Sequence, residues 1–148
     1  MTDSARTVYL NIGSNLEPEK NIPACLEILK KKFQVKKISS IYETDAVGMQ
    51  GAKFWNLAVA IEIQYDIKNL IEVLHRIEDE MGRKRDPGNK FSPRTIDLDI
   101  VPQPGYQKQA FIMVPLAEIA PEEMDEESGK SLMELAGLVS RSGVRKVR

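Results

Sequence analysis

Cysteine is nearly missing from this chain: Cys25 is the only one, and His75 and Trp55 are the only histidine and tryptophan. A lone cysteine excludes an internal disulfide framework and a cysteine metal cluster, and it suits a reducing compartment. A lone histidine excludes a metal site or relay built on paired imidazoles. No apolar run approaches membrane-spanning length, and Met1 to Arg6 is polar, so neither an anchor nor a secretory leader is expected and the reading is cytoplasmic. Excess charge is missing too, since the formal net charge is −1, which argues against a general polyanion-binding surface and for small partners. Repeats and low-complexity tracts are absent. What remains is 148 residues, 42% hydrophobic, enough for one domain spanning 1–148 with a sizeable core.

Against that near-neutral background the stretch Gly82 to Ile100, GRKRDPGNKFSPRTIDLDI, stands out. Arg83, Lys84, Arg85, Lys90 and Arg94 face one acidic residue, Asp86, and Pro87, Gly88, Ser92 and Pro93 hold the segment in loop. A strand follows. On it Asp97 and Asp99 leave from the same face while Ile96, Leu98 and Ile100 point into apolar packing. Their Cα atoms would be roughly 6.5 to 7 Å apart, and metals in two-metal phosphoryl sites sit about 3.5 to 4 Å apart. The pair can therefore hold two Mg²⁺. Arginine forks match phosphate oxygens, so carboxylates beside cationic donors read as a nucleotide triphosphate site. Taken alone, the acidic pair also fits a solvated strand end, and the basic loop a solvated loop.

The run Ser92-Pro-Arg-Thr-Ile-Asp-Leu-Asp-Ile100 resembles the signature of the 6-hydroxymethyl-7,8-dihydropterin pyrophosphokinase family, usually close to G-P-R-T-L-D-L-D-I. Gly13-Ser-Asn15, Tyr42-Glu-Thr44 with Gly48, Phe54-Trp-Asn56, Glu78 with Gly82-Arg83, and Pro115-Leu-Ala-Glu-Ile-Ala-Pro121 fall in family order. The resemblance covers all but the last two dozen or so residues. It implies an α+β, ferredoxin-like sandwich with a mainly antiparallel sheet, and transfer of a pyrophosphoryl group from ATP, with two Mg²⁺, to the hydroxymethyl pterin of folate biosynthesis. It also implies residue roles: Asp97 and Asp99 as metal ligands, and Arg83, Arg85 and Arg94 on the phosphates. Thr44, Phe54, Asn56, Phe91 and Phe111 would hold the pterin, and His75, Glu78, Ile100 and Gln103 would lie near the nucleotide. From the residues alone, Phe54 also fits plain core and Asn56 a turn-proximal hydrogen bonder.

Periodicity predicts a strand over Thr7–Ile12 stopped by Gly13-Ser14-Asn15, and a helix from Asn21 to Phe33 with Asn21 as N-cap, because Pro23 belongs in a first turn. Cys25 falls on its apolar stripe as core filler. Val35–Tyr42 and Lys53–Gln64 read as strands, with Thr44–Gln50 a loop. Asp66–Met81 reads as a helix capped by Asp66, with His75 and Glu78 on its free polar face. A short helix after Leu116, a final one over Leu132–Val139 and a frayed tail complete the chain.

Two departures stand out. The chain passes from Ile100 straight to Val101-Pro102-Gln103 where family members carry an edge hairpin, and Gln103 and Gln109 replace a usual histidine and arginine. These motivate an alternative, a pterin- or nucleotide-binding paralogue with little or no turnover. An RNA-binding module is a further rival, disfavoured because Phe54 and Trp55 point to opposite sides of their strand. A monomer or weak homodimer is expected.

Overall fold

A computed structural model describes residues 5–45, 53–82, 96–139 and 143–148. Among these residues six strands form one sheet: β1 (Arg6–Ser14), β2 (Gln34–Ile38), β3 (Tyr42–Asp45), β4 (Lys53–Ile63), β5 (Asp97–Val101) and β6 (Val144–Lys146). The order is β5-β1-β4-β3-β6, with β2 pairing β4 alongside β3, and every pairing is antiparallel. The helices are α1 (Pro18–Lys32), α2 (Ile67–Glu80), α3 (Ala110–Ile119) and α4 (Leu132–Leu138). With β2 and β3 sharing one position, β1-α1-β2/β3-β4-α2-β5 is the ferredoxin-like alternation that the sequence leads one to expect.

Strand alternation divides the core into two layers. Val8, Leu10 and Ile12 of β1, Leu57, Val59, Ile61 and Ile63 of β4, and Leu98 of β5 pack with Ile22, Cys25 and Leu29 of α1 and Leu70, Leu74 and Ile77 of α2. On the other face Ala58, Ala60 and Val101 pack under α3 and α4. Small alanines at the sheet centre let the apolar α3 lie close. Asp66 caps α2 as expected, its carboxylate accepting the Asn69 amide at 2.9 Å.

Boundaries differ from expectation for identifiable reasons. Helix α1 starts at Pro18, not near Asn21; the Glu17 carbonyl accepts the Lys20 and Asn21 amides, and Pro23 sits inside the helix at an exposed position. The expected Val35–Tyr42 strand breaks into β2 and β3. At the break Ser39 keeps the ladder through its hydroxyl, which accepts the Ala58 amide at 2.8 Å, while Ser40 turns its amide to Glu118 of α3. Thr44 is on a strand, and β1 runs on through Gly13 and Ser14 because both pair with β4. Helix α3 starts at Ala110, six residues before Leu116, since its all-round apolar sequence gives no amphipathic period. The tail is paired: β6 joins β3, and Ile41 and Val147–Arg148 exchange backbone hydrogen bonds. No helix among the described residues is long and apolar enough to cross a membrane.

Candidate active site

Four strands bring one polar row across the sheet. Gly13 of β1 is paired with Asp97 of β5 on one side and Asn56 of β4 on the other, and Asn56 is in turn paired with Tyr42 of β3. The next row inward is Asp99–Asn11–Ala58, and the next outward pairs Phe54 with Thr44. Directly opposed residues share a face, as do alternate residues of one strand. Asp97, Asp99, Asn56, Phe54 and Thr44 therefore all stand on the α3 side of the sheet, with Trp55 on the other. Helix α3 covers Ala58 and Ala60, while Asp97, Asp99, Phe54 and Thr44 are part-exposed. Phe111, in the first turn of α3, is half-buried against the alanine cluster.

Gly13 is what brings the two halves close. A Cβ there would stand 2.9 Å from Asn56 Oδ1 and 3.9 Å from Asp97 Cβ. The Asn56 carboxamide thus lies across the glycine toward the carboxylate. It is held there by Asn11, whose Nδ2 donates to Asn56 Oδ1 at 3.2 Å in a buried contact.

The remaining expected residues are dispersed. Glu78 is not on a free polar face: it is 1% exposed, one turn after Leu74 and next to Ile77, inside the buried stripe of α2. Its Oε2 accepts the Leu98 amide at 2.8 Å, which makes a carboxylate tolerable there. His75 is exposed on α2, and Ile100 packs toward the α1/α2 layer, opposite the Asp97 and Asp99 side chains. Gln103 is exposed in the turn after β5, its carbonyl accepting the Tyr106 amide at 3.0 Å. Arg83, Arg85, Phe91 and Arg94 lie outside the described residues. Cys25 is core, as expected; burial, reinforced by the Glu78 charge, pushes its thiol up to about 12.

Sequence reasoning missed Asn11, Glu43 and Glu118. Asn11 was legible as a polar residue between Leu10 and Ile12, on the same strand face as Gly13. Glu43 gathers the Trp55 indole N–H at 2.8 Å, Arg145 at 2.8 Å and Lys53 at 3.6 Å on the sheet's other side. The Arg145 hydrogen bond, then that from Trp55, holds its carboxyl below the usual range. Glu118 takes the Ser40 amide and the Tyr42 hydroxyl, each at 2.5 Å, tying α3 to β3.

The class is thus an α+β domain with carboxylates on one side of a glycine and an amide with a flat aromatic on the other, all on one sheet face, an arrangement with the chemistry to take a small polar ring beside hard oxygen donors. Residues 9–121 match the family model described as 7,8-dihydro-6-hydroxymethylpterin-pyrophosphokinase (HPPK), and the chain belongs to that family. Among curated relatives named 2-amino-4-hydroxy-6-hydroxymethyldihydropteridine pyrophosphokinase, that of Bacillus subtilis is 36% identical over 75% of this chain and 76% of its own length. The Synechocystis relative is 32% identical over 90% of this chain and 74% of its own length. The Pseudomonas aeruginosa relative is 31% identical over 95% of this chain and 96% of its own.

Proposed function

We propose that this chain transfers the pyrophosphoryl group of ATP to the hydroxymethyl oxygen of 6-hydroxymethyl-7,8-dihydropterin, releasing AMP, as a step of folate biosynthesis. The observation that carries the reading is the placement of Asp97 and Asn56 on either side of Gly13 on one sheet face. A ligand read by the Asn56 amide has its substituent beside the carboxylates.

Among the described residues no three acidic, histidine or cysteine side chains gather as a self-sufficient metal cage. The donor set fits Mg²⁺ nonetheless, since that ion is ordinarily held by one or two carboxylates and completed by substrate phosphates and water. Asp97 and Asp99 would hold it, as two ions, and when bound it neutralises the triphosphate and stabilises charge on the leaving oxygen. The chain's own residues do the positioning. Phe54, with Phe111 at the start of α3, offers apolar faces to a flat ring. Thr44 and Asn56 meet its polar edge. Arg83, Arg85 and Arg94 would bind phosphate oxygens, and Phe91 would close the ring side; Glu78, by taking the Leu98 amide, fixes the backbone between the two aspartates. In the reaction the hydroxymethyl oxygen gives up its proton to water and bonds to the β-phosphorus, the bond from that phosphorus to the oxygen it shares with the α-phosphate breaks, and AMP leaves with that oxygen. No protein nucleophile is needed. The buried thiol of Cys25 suits a cytoplasmic site of action.

The test is incubation with MgATP and the reduced pterin, with AMP resolved by chromatography. Pterin-dependent AMP is expected. Binding of both ligands with no AMP formed would favour the non-catalytic paralogue instead.

A further inference from the structure

We propose that Asn11 is a positioning residue for ring recognition: it holds the Asn56 carboxamide in place against the ligand. The inference rests on the pterin reading above and deepens it. Asn11 is 4% exposed and lies in the row between Asp99 and Ala58, one row inward of Asn56. Its Nδ2 donates diagonally to Asn56 Oδ1 at 3.2 Å, and its own Oδ1 is buried with no hydrogen-bond partner.

Fold stability does not account for such a residue. A buried amide that makes one hydrogen bond and leaves its acceptor orphaned is a net cost to folding, and the positions beside it on β4 are filled by Ala58 and Ala60. What the Asn11 bond does is hold the Asn56 carboxamide in place: the end engaged by Asn11 is fixed, and the other end, the NH₂ in this arrangement, is left as the group for a ligand. In this arrangement the ligand edge read here is one that offers an acceptor, a ring nitrogen or carbonyl oxygen. The orphaned Asn11 Oδ1 beside it is suited to a donor that follows, a ring N–H or a water carried in with the ligand.

The experiment is a double-mutant cycle on steady-state turnover, with Asn11→Ala, Asn56→Ala and the double variant, each checked by thermal unfolding. Asn11→Ser, which cannot reach Asn56 but stays polar, serves if Asn11→Ala does not fold. The expected result is a rise of about five- to tenfold in KM for the pterin on losing Asn11, the size of one ordinary hydrogen bond. KM for ATP should not move. In the Asn56→Ala background the loss of Asn11 should cost nothing further, since its partner is gone. Losses that multiply independently, an unchanged pterin KM, or equal rises for both substrates would overturn the assignment. Failure of the parent protein to form pterin-dependent AMP would instead overturn the functional reading and this inference with it.

Discussion

The Glu78 carboxylate accepts the backbone amide of Leu98, at 2.8 Å, from beneath the strand that carries Asp97 and Asp99. Strand β5 is the sheet's edge among the described residues, with β1 its partner on one side. The N–H on the side of β5 away from β1 is buried there and is taken by a side chain from α2. The aspartates on either side of Leu98 are then anchored through β1 and through a helix. Leaving a buried amide without its partner costs about 1 to 3 kcal/mol. Glu78→Ala should therefore lower stability by about 2 kcal/mol in urea unfolding and reduce turnover as well, whereas Glu78→Gln retains an oxygen for the amide and should lose less of both. Equal loss in the two variants would show that the Leu98 bond is not what Glu78 supplies.

Asp97 is part-exposed on the α3 face and belongs to neither hydrophobic cluster. Asp97→Ala should leave the thermal midpoint within a few degrees of the parent and reduce kcat on the order of 10²-fold or more, the scale of removing one electrostatic contact to the reacting group. Titration with Mg²⁺ in the presence of a nonhydrolysable ATP analogue, followed by calorimetry, should show weakened metal-dependent binding in the variant. Retained turnover would count against the carboxylates as the metal-holding pair.

Gly13 does not have a positive φ, so its role is one of space alone. Gly13→Ala places a methyl group 2.9 Å from Asn56 Oδ1, closer than side-chain contacts allow. Because Asn56 is buried and bonded to Asn11, it must give way rather than swing into solvent. The expected outcome is a pterin KM raised by about tenfold or more with ATP binding less affected, read from steady-state kinetics with each substrate varied in turn.

Glu43 provides a pH test of the tail. Its carboxyl is held below the ordinary carboxylate range chiefly by the hydrogen bond from Arg145, so the folded pKa is lower than the unfolded one. The stability it contributes is thus fully present above the ordinary carboxylate range and is lost as pH falls through that range and below it. Trp55, the only tryptophan, donates to Glu43 and lies 5.3 Å under the Arg148 guanidinium. Acid titration should change Trp55 fluorescence as β6 loosens, and Glu43→Gln should blunt the change. A signal unaffected by that substitution would place the transition elsewhere.

Much of this architecture was legible from residue pattern. Asp66 and the Leu70, Leu74, Ile77 spacing gave α2, and the alternation around Leu98 put both aspartates on one face. The same alternation separated Phe54 and Asn56 from Trp55. Local rules failed where distant contacts decide. Helix α3 has no polar face to give it a period, because it is enclosed by the sheet and α4, so its start at Ala110 was missed. Glu78 looked like surface because its partner, the Leu98 amide, is 20 residues away in the chain. The tail looked frayed because nothing in Val144–Lys146 announces that β3 is short of a neighbour. Asn11 was legible as a polar residue on β1 but not in its role, for a related reason: its meaning lies in Asn56, 45 residues on, and in the glycine that lets the two amides meet.

The division of one outer strand into β2 and β3 bears on how the molecule behaves in company. Sheets with long, straight rims invite another chain to add a strand, and natural proteins deter this with short, irregular or cationic borders. Here β2 carries a bulge between Val35 and Lys37, and β6 is three residues long and bears Arg145 and Lys146. On the far border Glu78 already occupies the Leu98 amide. Among the described residues neither flank offers a flat template, so concentrated protein should resist the fibre-like stacking to which an unbroken rim would expose it.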